Sequence, residues 1–164
     1  MNRVVVDTNV PIVANGRLGG SRPPSLECRL AAIDFLVELL RLGRIVLDVA
    51  GTIQEEYHRS LNPRGQPGVG DRFYLMVLQS APRRVERVTL PTTVTGDYLD
   101  FPDDPALHNF DRSDRKFAAL ARRERIPVAN ATDSDWHQFA RPLNAHGIEI
   151  NFICGCDPSQ WFRM

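Results

Sequence analysis

Arg3-Val4-Val5-Val6-Asp7-Thr8-Asn9 decides the fold. Three successive β-branched valines form a solid apolar run, and an aspartate ends it. A half-exposed strand would alternate apolar and polar residues, so this run reads as a strand buried on both faces. The same signature recurs along the chain. Ile45-Val46-Leu47-Asp48 is strand-sized, Val85 to Leu90 forms a third run, Val128 to Ala131 follows Pro127, and Ile148 to Ile153 follows Gly147. Helical patterns separate these runs. Leu26, Leu30, Ile33, Val37 and Leu40 step by four and three residues up to Gly43. A second helix spans Thr52 to Leu61 and stops at Asn62-Pro63-Arg64-Gly65-Gln66-Pro67-Gly68. Further helices are predicted over residues 71–80, from Ser113 to Arg125 and over residues 134–145. Such alternation predicts one α/β domain over residues 1–164, with a mostly parallel sheet of about five strands and helices on both faces. Breaker-rich Gly16 to Pro24 and the long segment Pro91 to Phe110 are read as loops.

Composition narrows the classes. The 164 residues are 43% hydrophobic and 24% charged, enough for an ordinary core and against wholesale disorder. No apolar run approaches a membrane span and the N-terminus does not resemble a signal peptide, so a cytoplasmic protein with no membrane partner is expected. Cys28, Cys154 and Cys156 are too few and too oddly spaced to predict a disulfide framework or a four-ligand zinc site. Basic and acidic residues balance at 20 each, which removes the global charge of a typical nucleic-acid binder but leaves room for local patches.

In a parallel sheet, ligands bind beyond the carboxyl ends of the strands, and aspartates stand there. Asp7 ends the first strand. Asp133 follows the fourth, in Ala129-Asn130-Ala131-Thr132-Asp133-Ser134-Asp135. Of the two glutamates on the second helix, Glu55 matches a capping box with Thr52 and turns about 200° from Ile53. Glu56 lies about 60° from Ile53, on the flank of the buried face, where a carboxylate needs a cation. Asp111 reads as the cap of the next helix, whereas Asp114, three residues before Phe117, flanks its apolar stripe. Four carboxylates at one sheet edge repel one another, and a cluster without His or Cys suits a hard cation such as Mg²⁺ or Mn²⁺. That chemistry belongs to phosphodiester or phosphomonoester hydrolysis.

The ordered set Val4-Val5-Val6-Asp7-Thr8-Asn9, Ile53-Gln54-Glu55-Glu56-Tyr57, Asp114-Arg115-Lys116-Phe117-Ala118-Ala119-Leu120-Ala121 and Thr132-Asp133-Ser134-Asp135-Trp136 resembles the PIN-domain nucleases across nearly the whole chain. Gly43-Arg44-Ile45 and Glu56-Tyr57 look most like PIN proteins that act as toxins of toxin–antitoxin pairs. The resemblance implies a Mg²⁺- or Mn²⁺-dependent ribonuclease acting on single-stranded RNA, with Asp7, Glu56, Asp114 and Asp133 as catalytic and metal-binding acids. It adds Asp135 as an accessory metal ligand and Thr8, Asn9 and Thr132 as supports of the carboxylates. A cognate antitoxin and a homodimer are the partners it implies.

Around that set, Arg115 and Lys116 adjoin Asp114 and are candidate phosphate contacts. Arg122, Arg123 and Arg125 read as a solvated helix face. The aspartates of the 91–110 loop, Asp97, Asp100, Asp103 and Asp104, would repel RNA and suggest a solvated or gating segment. No spacing of His58, His108, His137 and His146 suggests a metal site. Trp136 and Phe139 have core spacing, and Cys154-Gly155-Cys156 reads as ordinary small residues. Leu36 and Leu39 widen the apolar face of the Leu26–Leu42 helix, as a deeper core contact or a self-complementary interface. Two competing functions remain. A haloacid-dehalogenase-like phosphatase requires an Asp two residues after the first, where Asn9 stands. A catalytically silent PIN-like module binding RNA or protein would carry acids that no longer assemble on metal.

Overall fold

In the computed structural model, which describes residues 3–17, 23–79, 82–155 and 158–161, every strand pairing of the central sheet is parallel. The strands are β1 (Arg3–Val6), β2 (Arg44–Asp48), β3 (Val85–Val88), β4 (Val128–Asn130) and β5 (Ile150–Phe152), in the order β3-β2-β1-β4-β5. The order reverses between β1 and β4, which leaves a crevice at their carboxyl ends. Val4, Val5 and Val6 are all buried. Their side chains alternate across the sheet, so both faces of β1 are covered, as the solid valine run predicts.

The helices are α1 (Asn9–Ala14), α2 (Leu26–Leu42), α3 (Thr52–Ser60), α4 (Val69–Gln79), α5 (Arg115–Glu124), α6 (Ser134–Gln138) and α7 (Ala140–Ala145). The sequence reading misses α1. It is one and a half turns long and buried throughout, so no amphipathic period betrays it. It starts two residues after Asp7, with Thr8 as its N-cap, so the chain turns at the crevice. Gly70 of α4 packs on this helix so closely that a Cβ there would stand 2.0 Å from the Pro11 carbonyl oxygen. The helix expected over 134–145 breaks at Phe139 into α6 and α7, and α5 begins at Arg115 rather than Ser113.

Two expectations about α2 are overturned. The stripe Leu26, Leu30, Val37 is exposed, and the buried face is Cys28, Ala32, Leu36 and Leu39. Both faces carry apolar side chains, and spacing alone does not rank them; the buried set holds the smaller residues that let the helix approach the core. Leu36 and Leu39 are thus core residues. The second correction is covalent. Cys28 and Cys154 form a disulfide that ties the first turn of α2 to the segment after β5, 126 residues away. Sequence separation that large hides the pairing from any local reading. Cys156 lies outside the described residues, as do residues 18–22 of the expected breaker stretch and residue 80 at the expected end of α4.

The capping box on α3 is also replaced. Gly51, at φ +81°, precedes the helix, and the buried Asp48 caps it by accepting from the Thr52 and Ile53 amides at 2.8 and 3.0 Å. A buried carboxylate at the end of β2 reaches the helix N-terminus better than Glu55, which points to solvent and pairs with Arg59.

The 91–110 segment is only partly solvated: Val94 and Leu99 are exposed, but other side chains are anchored in the core. Phe101, Leu107 and Phe110 are buried, and residues 105–107 form a 3₁₀ turn. Its aspartates meet arginines of α5: Asp97 with Arg115 at 2.6 Å, and Asp100 with Arg123 at 3.0 Å. Asp104 pairs with His146 before β5. Arg122 donates to the Asp100 carbonyl. The segment therefore roofs α5, whose residues 115–121 are buried in unbroken succession between it and the sheet.

Candidate metal centre

Asp7 leaves β1 at the crevice, and three donors fix its carboxylate. Oδ1 accepts from the Asn9 amide at 2.9 Å and from Asn9 Nδ2 at 2.6 Å, and Oδ2 accepts from the Trp136 indole at 2.8 Å. Trp136 is fully buried, so its N–H must find an acceptor inside the protein. The core spacing of Trp136 is correct, but it hides a second task. That acceptor is the acid at the site. A tryptophan just past an acidic strand end is the signal that sequence reading could have used.

Asn9 also spans the crevice. Its Nδ2 donates to Asn130 Oδ1 at 2.7 Å, and its Oδ1 accepts from the Ala131 amide at 2.7 Å and the Thr132 amide at 3.2 Å. It thereby stitches β1 to the turn that carries Asp133. Asp133 caps α6, accepting from the Asp135 amide at 2.9 Å. The Thr132 hydroxyl is buried with no hydrogen-bond partner, so it supports no carboxylate.

Oxygens of Asp7, Asp114 and Asp133 lie within 4.8 Å of one another, and all three residues are buried. Asp114 contributes the telling atom: the residue is 6% exposed, and its Oδ2 is buried without a partner. A second group, Asp111, Asp114 and Asp135, meets the same 4.8 Å limit and shares Asp114. Asp111, expected as the cap of α5, is not its cap, because the helix begins later with Asp114 at the N-cap position; Asp111 instead accepts from the Ser113 amide at 2.9 Å.

Glu56 turns inward from α3, as the helical wheel predicts, but stands outside both groups. Its Oε1 accepts from Thr8 Oγ1 at 2.7 Å, and its Oε2 is ion-paired with Lys116. Lys116 also donates to the Ser113 carbonyl. Arg115 does not face this cleft as a phosphate contact. Its guanidinium is spent on Asp97, on the Phe110 and His108 carbonyls, and on the ring of Phe101 at 4.7 Å. A buried side chain satisfied on all sides by the roof of α5 is a scaffold.

Burial and mutual repulsion raise the carboxyl pKa values. Desolvation pushes Asp7 up to about 6 although the Asn9 and Trp136 hydrogen bonds oppose it. Burial, then the charge of Asp7, lifts Asp133 to about 8. Asp114 reaches about 10, through burial and then the charges of Asp7 and Asp133. Three acids in this state call for protons or a cation. All the donors are hard carboxylate oxygens, and Asp114 Oδ2 lacks any other partner, so these residues could hold a hard divalent cation.

No family model and no curated protein matches the chain. A structural comparison finds a domain of a functionally unknown protein from Methanocaldococcus jannaschii DSM 2661, at 19% identity and a TM-score of 0.43, covering 96% of this chain and 94% of that one. Among the described residues, no helix is long and apolar enough to cross a membrane.

Proposed function

We propose that this chain is a PIN-type, Mg²⁺- or Mn²⁺-dependent endoribonuclease that hydrolyses phosphodiester bonds of single-stranded RNA. The observation that supports it most is the buried, unpartnered Asp114 Oδ2 within reach of Asp7 and Asp133. Asp7, Asp114 and Asp133 would hold the ion, with Asp135 and Asp111 beside them. A bound divalent ion supplies a Lewis acid for the phosphate and lowers the pKa of water.

The chain's own residues do the positioning. Asn9 and Trp136 lock the Asp7 carboxylate, and the Asp135 amide holds Asp133. Carboxylates held in this way bind without losing rotamer freedom. Of the two cations beside Asp114, Lys116 remains a candidate for contact with RNA phosphate, since Arg115 is engaged by the roof. The resemblance at residues 43–45 and 56–57 supports a role as the toxin of a toxin–antitoxin pair in the cytoplasm. The exposed Leu26, Leu30 and Val37 of α2, rather than Leu36 and Leu39, are the surface on which a homodimer or an antitoxin would pack.

The test uses labelled single-stranded RNA with Mn²⁺ or with EDTA. Cleavage should require Mn²⁺, and Asp7→Asn should abolish it while leaving the circular dichroism spectrum unchanged. Cleavage that persists in EDTA overturns the reading. Mn²⁺ binding without cleavage of any RNA would instead indicate the silent binding module.

A further inference from the structure

We propose that Lys116 is a built-in cation of this centre, which withholds Glu56 from the metal and stands where a further divalent ion would otherwise sit. The inference rests on reading the aspartates as a cation site. It departs from the four-acid ligand set that the resemblance implies, because Glu56 becomes the partner of a lysine.

Both Glu56 oxygens are already engaged, Oε1 by Thr8 Oγ1 and Oε2 by the Lys116 ammonium. Neither of the groups of three acids within 4.8 Å includes Glu56. Lys116 is itself fixed: it is 7% exposed, its Nζ donates to the Ser113 carbonyl, and it lies 4.8 Å from the Phe117 ring centroid. Ser113 immediately precedes Asp114, so the lysine braces the backbone that carries the unpartnered carboxylate.

An ion that recruited Glu56 would have to expel this ammonium and leave it buried without its carboxylate, which is costly. It would also approach a positive charge at short range among buried side chains. The opposite holds around Asp114, where no hydrogen-bond donor competes for Oδ2. Cations are therefore directed to the aspartates, and the Glu56 flank keeps a permanent positive charge that no chelator removes. An ammonium offers three donors. Glu56 and Ser113 take two of them.

The experiment is Mn²⁺ titration of the metal-free full chain by calorimetry, with bound Mn²⁺ followed by electron paramagnetic resonance and without RNA present. Glu56→Gln should bind the same number of ions as the wild-type chain. Lys116→Met, which keeps the apolar stem and removes the charge, should bind one more ion than wild type. The double variant Lys116→Met/Glu56→Gln should return to the wild-type number, and Lys116→Arg should keep it.

A Glu56→Gln protein that loses an ion overturns the proposal, and so does a folded Lys116→Met protein with no added ion. The Glu56→Gln result decides the matter even where Lys116→Met fails to fold. A wild-type chain that binds no Mn²⁺ would take down the nuclease reading together with this one. A wild-type chain that uses Glu56 as a ligand would remove the Lys116 role alone.

Discussion

The parallel sheet has two ends that handle charge in opposite ways. Where the strands begin, Glu86 and Glu124 are paired with guanidinium groups. Arg3 of β1 meets Glu86 of β3 at 2.7 Å and Glu124 of α5 at 2.6 Å, and Arg44 of β2 approaches Glu86 at 3.7 Å. The hydrogen bond from Arg3 holds Glu86 below its ordinary pKa. Where the strands finish, Asp7, Asp114 and Asp133 crowd together without an arginine. Burial, with the charges of neighbouring carboxylates, pushes all three above the ordinary carboxylate range. One end is arranged for stability and the other against it, and an arrangement that lowers stability persists where something is to be bound. The Cys28–Cys154 disulfide lies at the second end of the sheet, where α2 begins and β5 has finished.

That contrast can be broken first at its covalent support. Cys28→Ser should lower stability by about 2–4 kcal/mol, the usual worth of a disulfide closing a long loop. Denaturant melts of wild type with and without reductant should reproduce the loss. An unchanged midpoint would show that the acidic end needs no staple.

The next effect has the reverse sign. Asp114→Asn should raise the stability of the metal-free protein at pH 7 by about 1–3 kcal/mol, because it removes a buried acid with an unsatisfied oxygen. It should remove the ion's contribution at the same time. The pH dependence follows from the same residues. Their folded pKa values lie above the ordinary aspartate value of 3.8, so the stability they contribute is full below that value. It is lost as pH rises through about 6 for Asp7 and about 8 for Asp133. Metal-free melting temperatures should therefore fall from pH 4 to pH 8, and saturating Mn²⁺ should flatten the slope. A melting temperature that rises over that window would contradict the picture of the acidic end.

At the other end, Arg3→Ala should destabilise by about 1 kcal/mol, since its pairs are about a third exposed and partly screened. The smallest effect belongs to Glu55→Gln. With the capping role taken by Asp48, only an exposed pair with Arg59 is lost, which is worth about 0.5 kcal/mol or less. Thermal melts of the two variants side by side should preserve that order.

What the sequence made legible was whatever a few adjacent residues determine. The valines of β1 specify a doubly covered strand, and a strand ended by aspartate places the acid at the sheet edge. Glu56 faces inward because a helix has a fixed angular step. Features set by partners far away in the chain were not legible. Trp136 reads as core by spacing, yet its indole orients Asp7 across 129 positions. Arg115 reads as a phosphate contact until Asp97 and the roof of α5 claim it. Cys28 and Cys154 meet only once the sheet has brought α2 beside β5. On α2 itself, apolar residues cover both sides, and the one with the smaller side chains faces inward. Periodicity sees neither the disulfide nor that choice.

Asn9 carries a consequence of its own. One carboxamide touches Asp7, Asn130 and the amides of Ala131 and Thr132, so the gap between the first acid and the turn bearing Asp133 is set by the length of a single side chain. It works as a ruler laid across the place where the sheet reverses its order. Asn9→Asp would keep the length while exchanging two donors for a repelled charge, and Asn9→Ala would remove the gauge altogether. Whatever enters the crevice meets carboxylates already spaced, and none of its binding energy is spent on bringing the two halves of the sheet together.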